Sequence, residues 1–264
     1  MPELAEVEYY RTRWNCGLNQ TITAIKVHGT KRLFRTVAVE QLCQRLPGTV
    51  LIGSEARGKQ LLIQFSEDLW LGLHLGMTGK LRSDSPGLQP GKHDHLVIYQ
   101  SAQALVFSDP RLFGLVQFHS GPSEPDWWAR LPPAVNSPAF SRARMEAFLA
   151  RHGKLPIKAA LLLQAGFPGV GNWMADEILW RAKISPLLAA GDLSSQQQTA
   201  LWRSLRFVCR AALRHIGKDF SDPPSGWLFH ERWTAAGQCP EHGTDLARQQ
   251  VGGRTTAWCR TCQS

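Results

Sequence analysis

Two short pairs near the C-terminus, Cys239-x2-His242 and Cys259-x2-Cys262, constrain this chain more than any other feature. Each pair places two soft ligands on one side of a tetrahedral ion, and the sixteen residues between the pairs suit a β-hairpin that joins them. Four protein ligands leave no open position for water. The pattern therefore predicts one structural Zn²⁺ and no catalytic metal. The other cysteines, Cys16, Cys43 and Cys209, are scattered singly, which argues for a reduced cytoplasmic protein with a metal site and against a disulfide framework.

Such a hairpin occupies only the end of a chain of 264 residues, long enough for one large domain or two ordinary ones with sizeable cores. Hydrophobic content of 43% fits a globular protein and argues against disorder. No apolar run approaches the roughly 18 residues of a membrane span, and the basic-then-apolar start of a secretory signal is absent. The formal charge of +9 points to a polyanionic partner such as nucleic acid.

Leu4, Val7, Trp14 and Leu18 recur at near-helical spacing, so an amphipathic helix is expected over 3–18, ended by Gly17 and Asn19. Short β-type runs follow: Ile22–Val27, Thr49–Ile52, Leu61–Phe65, Leu69–Leu75, His95–Tyr99, Ala104–Phe107 and Leu112–Phe118. Turn residues such as Ser83-Asp84-Ser85-Pro86-Gly87 punctuate them, as in an antiparallel sandwich or barrel. Residues 119–139 carry five prolines and the Trp127-Trp128 pair and read as a hinge. Helices are expected at 141–151, 155–164, 173–182 and 194–216. The fold class is then α+β: a helix and β-sandwich over 1–118, a linker at 119–139, a helical domain at 140–225 and the cysteine hairpin at 226–264.

The first residues carry possible chemistry. If Met1 is removed, Pro2 presents a secondary amine, which no side chain supplies, and an α-amino group titrates near pH ~8. Glu3 lies beside it and Glu6 one helical turn on, and an attacking amine needs a carboxyl group nearby to shuttle protons. Taken alone, the stretch reads first as a helix start, with proline at its first position and acids in its first turn. Gly166-Phe167-Pro168-Gly169-Val170-Gly171-Asn172 suits either a phosphate at a helix N-terminus or an ordinary corner between helices. Met77, among the glycines of His74-Leu75-Gly76-Met77-Thr78-Gly79, and Phe113, beside Arg111 in Asp109-Pro110-Arg111-Leu112-Phe113-Gly114, are core residues by default. They also suit an apolar wedge that holds open a kinked duplex. Lys59, after Arg57-Gly58, and Arg254, at a Gly252-Gly253 hairpin tip, are either phosphate ligands or solvated side chains.

Together these pieces resemble the formamidopyrimidine-DNA glycosylase/endonuclease VIII family, closest to its formamidopyrimidine-DNA glycosylase branch. PELAEVE at the start, RGK at 57–59, HLGMTG at 74–79, KHDH at 92–95, DPRLFG at 109–114, GVGNWMADEIL at 169–179 and GGRTTAWCRTC at 252–262 carry the likeness over nearly the whole chain. The resemblance implies an N-terminal helix and β-sandwich, then a helix–two-turns–helix domain with a zinc-finger β-hairpin. It implies a monomeric bifunctional DNA glycosylase and AP lyase of base excision repair, acting on damaged double-stranded DNA in a cytoplasm of bacterial type. Pro2 would be the nucleophile and Glu3 its proton-transfer partner, with Glu6 in the same catalytic set. Lys59, Asn172 and Arg254 would hold phosphates, and His93 would join the DNA contacts. Met77, Arg111 and Phe113 would fill the space left by a flipped nucleotide. No redox or metal cofactor would take part in the chemistry.

The chain departs from the family pattern in places. Ala5 stands where a second proline is usual, Trp173-Met174 replace a common Ile-Tyr pair, and His242 stands where bacterial members carry cysteine. Gly217-Lys218-Asp219-Phe220, followed by Gly226-Trp227-Leu228-Phe229-His230, replaces a longer loop that caps everted 8-oxoguanine. This shortening resembles the plant and fungal branch, so formamidopyrimidines and hydantoins are expected to be better substrates than 8-oxoguanine. The alternatives are an endonuclease VIII-type enzyme for oxidised pyrimidines and a non-catalytic damaged-DNA binding protein. The Met77/Arg111/Phe113 set argues against the first, and the intact Pro2-Glu3 pair against the second.

Overall fold

A computed structural model describes residues 1–263. Two compact units emerge: one takes Met1–Pro2 and Glu6–Leu131, the other Glu3–Ala5 and the chain from Pro132 onward.

The first helix, α1 (Leu4–Thr12), is shorter than its apolar spacing predicts. Thr12 turns its hydroxyl back onto the Tyr9 carbonyl at 2.7 Å, and a 3-10 turn over Asn15–Gly17 follows. That turn is fixed by burial. Trp14 is 1% exposed and donates its indole N–H to the Arg82 carbonyl, while a Cβ on Gly17 would meet the Gln100 side chain at 2.6 Å.

Two antiparallel sheets fill the rest of the first unit. One pairs β1 (Ile22–Val27), β6 (Asp94–Gln100), β7 (Ala104–Ser108) and β5 (Lys80–Asp84) in that order. The other pairs β2 (Leu51–Arg57), β3 (Gln60–Phe65), β4 (Leu69–His74) and β8 (Leu115–Ser120). Leu61, Ile63, Leu71 and Leu73 from the second sheet meet Leu96, Ile98, Leu105 and Phe107 from the first in one core. The strand β6 is buried along its whole length because Val97 and Tyr99, on its other face, pack in a separate cluster with Val106 and Leu88. The edge strand β5 and the short helix α2 (Val39–Arg45) escape a reading based on apolar runs. In β5 only Leu81 is buried, and the pairing with β7 carries the strand. A four-residue helix, α3 (Asp126–Ala129), buries Trp128 late in this unit.

The second unit is helical. Its members are α4 (Arg142–Arg151), α5 (Ile157–Leu161), α6 (Asn172–Ala182), α7 (Ser195–Asp219) and α8 (Leu228–Glu231), followed by the hairpin of β9 (Ala247–Val251) and β10 (Arg254–Trp258). The helix α7 starts with a reciprocal capping box between Ser194 and Gln197, and it runs three residues past the expected 216 before Phe220 turns left-handed at φ 65°. Trp173, Ile178 and Leu179 of α6 pack with Leu201, Leu205 and Val208 of α7 in the main core of this unit.

Candidate functional site

Glu3 is the polar side chain on which the second unit closes. It is 4% exposed, and its two carboxylate oxygens accept the backbone N–H groups of Trp173 (3.0 Å) and Met174 (3.1 Å) in the first turn of α6. Two unpaired helix N–H groups and the positive end of the helix dipole favour a carboxylate that carries its charge. The next residue joins the same seat, since Leu4 N–H donates to the Gly169 carbonyl at 2.9 Å. Gly171 makes room for it: a Cβ there would lie 2.2 Å from the Glu3 carboxyl carbon. Glu6, one turn further along α1, is half-buried.

The same helix end holds the hairpin. Asn172 donates its amide to the Thr255 carbonyl at 3.0 Å, next to Arg254, and its own carbonyl accepts Lys158 Nζ at 2.6 Å. Lys158 is fully buried and ion-paired to Asp176, whose other oxygen accepts two hydrogen bonds from Arg232 and faces the Ala257 N–H of β10. Burial pushes the Lys158 ammonium below its usual range. Val251 and Arg254 flank a two-residue turn in which Gly252 and Gly253 have φ of 60° and 72°, values that favour glycine, and Arg254 stands exposed beyond it.

In the first unit, Lys59 sits in the tight turn between β2 and β3, after Gly58 at φ 63°, with its Nζ 3.9 Å from the Met1 sulfur. The chain start and Lys59 thus lie together. Phe113 is 46% exposed, Arg111 is exposed with its guanidinium 4.9 Å above the Phe113 ring, and Met77 is half-buried. The default reading of Phe113 as core is therefore wrong. The core residue of that turn is Leu112, which packs inward at the cost of a left-handed φ of 58°.

The turns bearing Met77 and Phe113 abut: Gly76 has φ 62°, and a Cβ there would lie 2.5 Å from the Phe113 backbone. Asp109, fully buried, binds them together by accepting Thr78 Oγ1 (2.7 Å), Gly114 N–H (2.7 Å) and Arg111 N–H (3.3 Å). Its backbone N–H donates to the carbonyl of His93, whose side chain is exposed. Its carbonyl accepts from His95 Nε2 at 3.1 Å. That acceptor fixes the His95 tautomer, so Nδ1 accepts the Nδ1–H of His28 at 3.3 Å, and burial holds the His95 ring below the ordinary histidine range. Replacing Asp109 by Ala should lower stability by about 3 kcal/mol, because three donors lose a charged acceptor. Urea unfolding of the Asp109→Ala protein measures this, and a midpoint equal to wild type would refute it.

The predicted metal ligands converge. One donor atom from each of Cys239, His242, Cys259 and Cys262 lies within 4.8 Å of the others, and Cys239 Sγ is 3.5 Å from His242 Nδ1. A tetrahedron with bonds of about 2.3 Å to sulfur and 2.0 Å to nitrogen has edges of roughly 3.5–3.8 Å, so these residues fit a metal ion. Trp180, on the last turn of α6, donates its indole N–H to Cys239 Sγ at 3.4 Å.

Sequence profiles of the formamidopyrimidine-DNA glycosylase N-terminal domain and H2TH domain match residues 1–116 and 131–222. The chain belongs to the formamidopyrimidine-DNA glycosylase family. A formamidopyrimidine-DNA glycosylase of Xanthomonas campestris is 34% identical, and one of Halorhodospira halophila 33%, each over the full length of both chains. Solved relatives include the Lactococcus lactis enzyme bound to an abasic-site-containing DNA (29% identity, TM-score 0.86, 99% of each chain). Another is MutM in complex with DNA containing carbocyclic 8-oxo-G (29% identity, TM-score 0.88, 99% of each chain). Membership makes the protein an enzyme, a DNA glycosylase of base excision repair with the lyase activity of its family. Among the described residues no helix is long and apolar enough to cross a membrane.

Several residues that hold these candidate positions within each unit escape a motif-based reading. Gly171, Asp109, Lys158 and Asp176 are legible only as motif letters or as charges among apolar neighbours, and their partners lie far away in sequence. Glu177 is another. It is fully buried, accepts Arg181 Nε (2.8 Å) and Phe229 N–H (3.0 Å), and burial pushes its carboxyl up to about 7. A folded pKa raised above the unfolded value stabilises below the unfolded pKa, and that stabilisation is lost as pH rises through the folded one. The stability of wild type relative to Glu177→Gln should therefore fall between about pH 4.5 and 7.5, by on the order of 3 kcal/mol. Parallel denaturant melts across that range test it, and a constant difference would refute it.

Proposed function

We propose that this glycosylase removes ring-opened or oxidised purines, formamidopyrimidines and hydantoins ahead of 8-oxoguanine, through the Pro2 amine. The observation that carries the reading is the seat of Glu3, a buried carboxylate held by two N–H donors one residue after that amine. Once Met1 is removed, the Pro2 nitrogen attacks the anomeric carbon of the damaged nucleotide, and the bond to the base breaks as a proton reaches the base or the ring oxygen. Glu3, charged and fixed, accepts the proton lost by the amine and stabilises the positive charge that develops beside it. The C1′–O4′ bond then breaks as the ring oxygen takes a proton, and because the amine is secondary the ring-opened product is a cationic iminium, which acidifies the neighbouring sugar C–H. Two eliminations then cut the strand on either side, and hydrolysis frees Pro2.

Lys59, Asn172 and Arg254 take phosphate positions in this reading, with Asn172 acting partly by latching the strand that carries Arg254. Met77, Arg111 and Phe113 fill the vacated stack, Arg111 facing the orphaned base. In the same reading His93 joins the DNA contacts and Glu6 the catalytic set. The Cys239/His242/Cys259/Cys262 cluster would hold one Zn²⁺, which orders the hairpin and takes no part in bond breaking. The preference among lesions is supported by the short connection between α7 and α8, residues 220–227, which leaves little chain to cap an everted base. The protein would act as a cytoplasmic monomer on damaged duplex DNA.

Borohydride trapping on a panel of lesion duplexes tests the reading. A covalent adduct, with single-turnover excision faster for formamidopyrimidine and hydantoin than for 8-oxoguanine opposite cytosine, is expected. Absence of an adduct overturns the mechanism, and faster excision of 8-oxoguanine overturns the lesion preference.

A further inference from the structure

The exposed face of α7 carries a pattern that the glycosylase chemistry does not use. Arg203, Phe207, Arg210 and Arg214 follow one another at helical spacings of four, three and four residues, so they form one stripe along the helix, and Lys218 extends it by a turn. All five are exposed, Phe207 to 49%. From Ser195 to Lys218 the helix contains no acidic residue, and among the described residues no ion pair engages Arg203, Arg210 or Arg214. Arg206, by contrast, is turned to the Val135 and Ser137 carbonyls.

Phe207 is not a stray apolar side chain. Arg181 lies 4.9 Å from its ring centroid and 4.5 Å from that of Trp227, and the Phe207 and Trp227 rings are tilted by 33° at 6.0 Å. One side of the ring is thus backed by packed groups that hold it in place, while half of the residue remains open to solvent. Cations repeated along a line neutralise a phosphate backbone, and an exposed aromatic ring between them offers a stacking surface for an unpaired base. A duplex presents no free base face to such a ring.

We propose that this face of α7 is a second nucleic-acid surface, which binds a single strand through Arg203, Arg210 and Arg214 with a base stacked on Phe207. It goes beyond the excision site and does not depend on the Pro2 mechanism. The probe is fluorescein-labelled (dT)15, followed by anisotropy with the full-length protein in excess unlabelled duplex bearing a stable abasic analogue, so that the duplex site is filled.

Binding should weaken with salt at a log–log slope steeper by roughly 2 in wild type than in the triple variant R203Q/R210Q/R214Q, as expected for three phosphates on a single strand. The triple variant should bind roughly tenfold more weakly or worse, while Phe207→Ala should lose roughly five- to tenfold with its salt slope unchanged. The control K31Q/R32Q/R35Q removes the same charge from exposed residues elsewhere and should bind (dT)15 nearly as wild type does. Excision of a short lesion duplex should be equal in all four proteins, which reports folding and keeps this test separate from the catalytic reading. Equal losses in the triple variant and the control would overturn the proposal by reducing it to net charge. So would unchanged binding in the triple variant, or tighter binding of a poly-Glu peptide that displaces (dT)15.

Discussion

A chain that keeps Met1 is expected to yield no borohydride-trapped adduct with a lesion duplex, and to excise at least roughly 10³-fold more slowly than the processed chain. With Met1 attached, the Pro2 nitrogen is a tertiary amide, its lone pair delocalised into the carbonyl, and it cannot attack a carbon. The remainder of the site would be untouched, because Glu3 is held through its side chain and Leu4 through its backbone, both independent of what precedes residue 2. Duplex binding should therefore persist at near wild-type affinity. That combination, binding without trapping, separates loss of the nucleophile from loss of the fold. Intact-mass measurement fixes which form each preparation contains. Trapping by the Met1-bearing form at the processed rate would refute the assignment of Pro2.

Gly171→Ala should lower single-turnover excision by roughly 10²-fold and cost about 1–3 kcal/mol of stability, the usual range for overpacking a buried seat. The backbone there is in an ordinary extended region, with φ −124°, so alanine meets no conformational penalty. The obstacle is purely spatial. The new methyl group would stand 2.2–2.4 Å from the Glu3 carboxyl and its methylene, so one of them must move. Glu3 is the more easily displaced, since the helix N-terminus is anchored by α6 packing, and a displaced carboxylate no longer meets the proton it is to accept. Glu3→Gln serves as the companion: it retains the shape and one oxygen acceptor but not the charge. Both proteins should remain folded, as a cooperative thermal unfolding transition reports, and lose kcat. A Gly171→Ala enzyme with wild-type excision would show that Glu3 needs no fixed position.

Much of the architecture is written in local pattern. The strand Ile22–Val27 and the helices α4 and α6 follow from period and composition, and the metal cluster from ligand spacing. What fails does so where tertiary contacts override local preference. The first helix is cut short at Thr12 because Trp14 is drawn into the sandwich core, and β5 exists only because β7 supplies a partner for a mostly polar segment. Likewise Phe113, which hydrophobicity assigns to the core, lies outside it, and only Leu112 packs inward. A left-handed residue turns Leu112 inward and leaves the aromatic ring outside, which no count of apolar residues reveals. The partners of Glu3, about 170 positions away, are beyond any local signal.

The helix α6 serves two ends at once. Its first turn seats Glu3 and latches Thr255, and Trp180 at its last turn donates to the Cys239 sulfur of the Cys/His cluster. From Trp173 to Trp180, at about 1.5 Å per residue, it is a ruler of about 10 Å between the two anchors. Substitutions along its surface leave that gauge intact. Insertion or deletion of a single residue would not, since it turns one anchor by about 100° relative to the other. In α6, length and phase therefore set the spacing of the two anchors, while its buried side chains hold the helix in place.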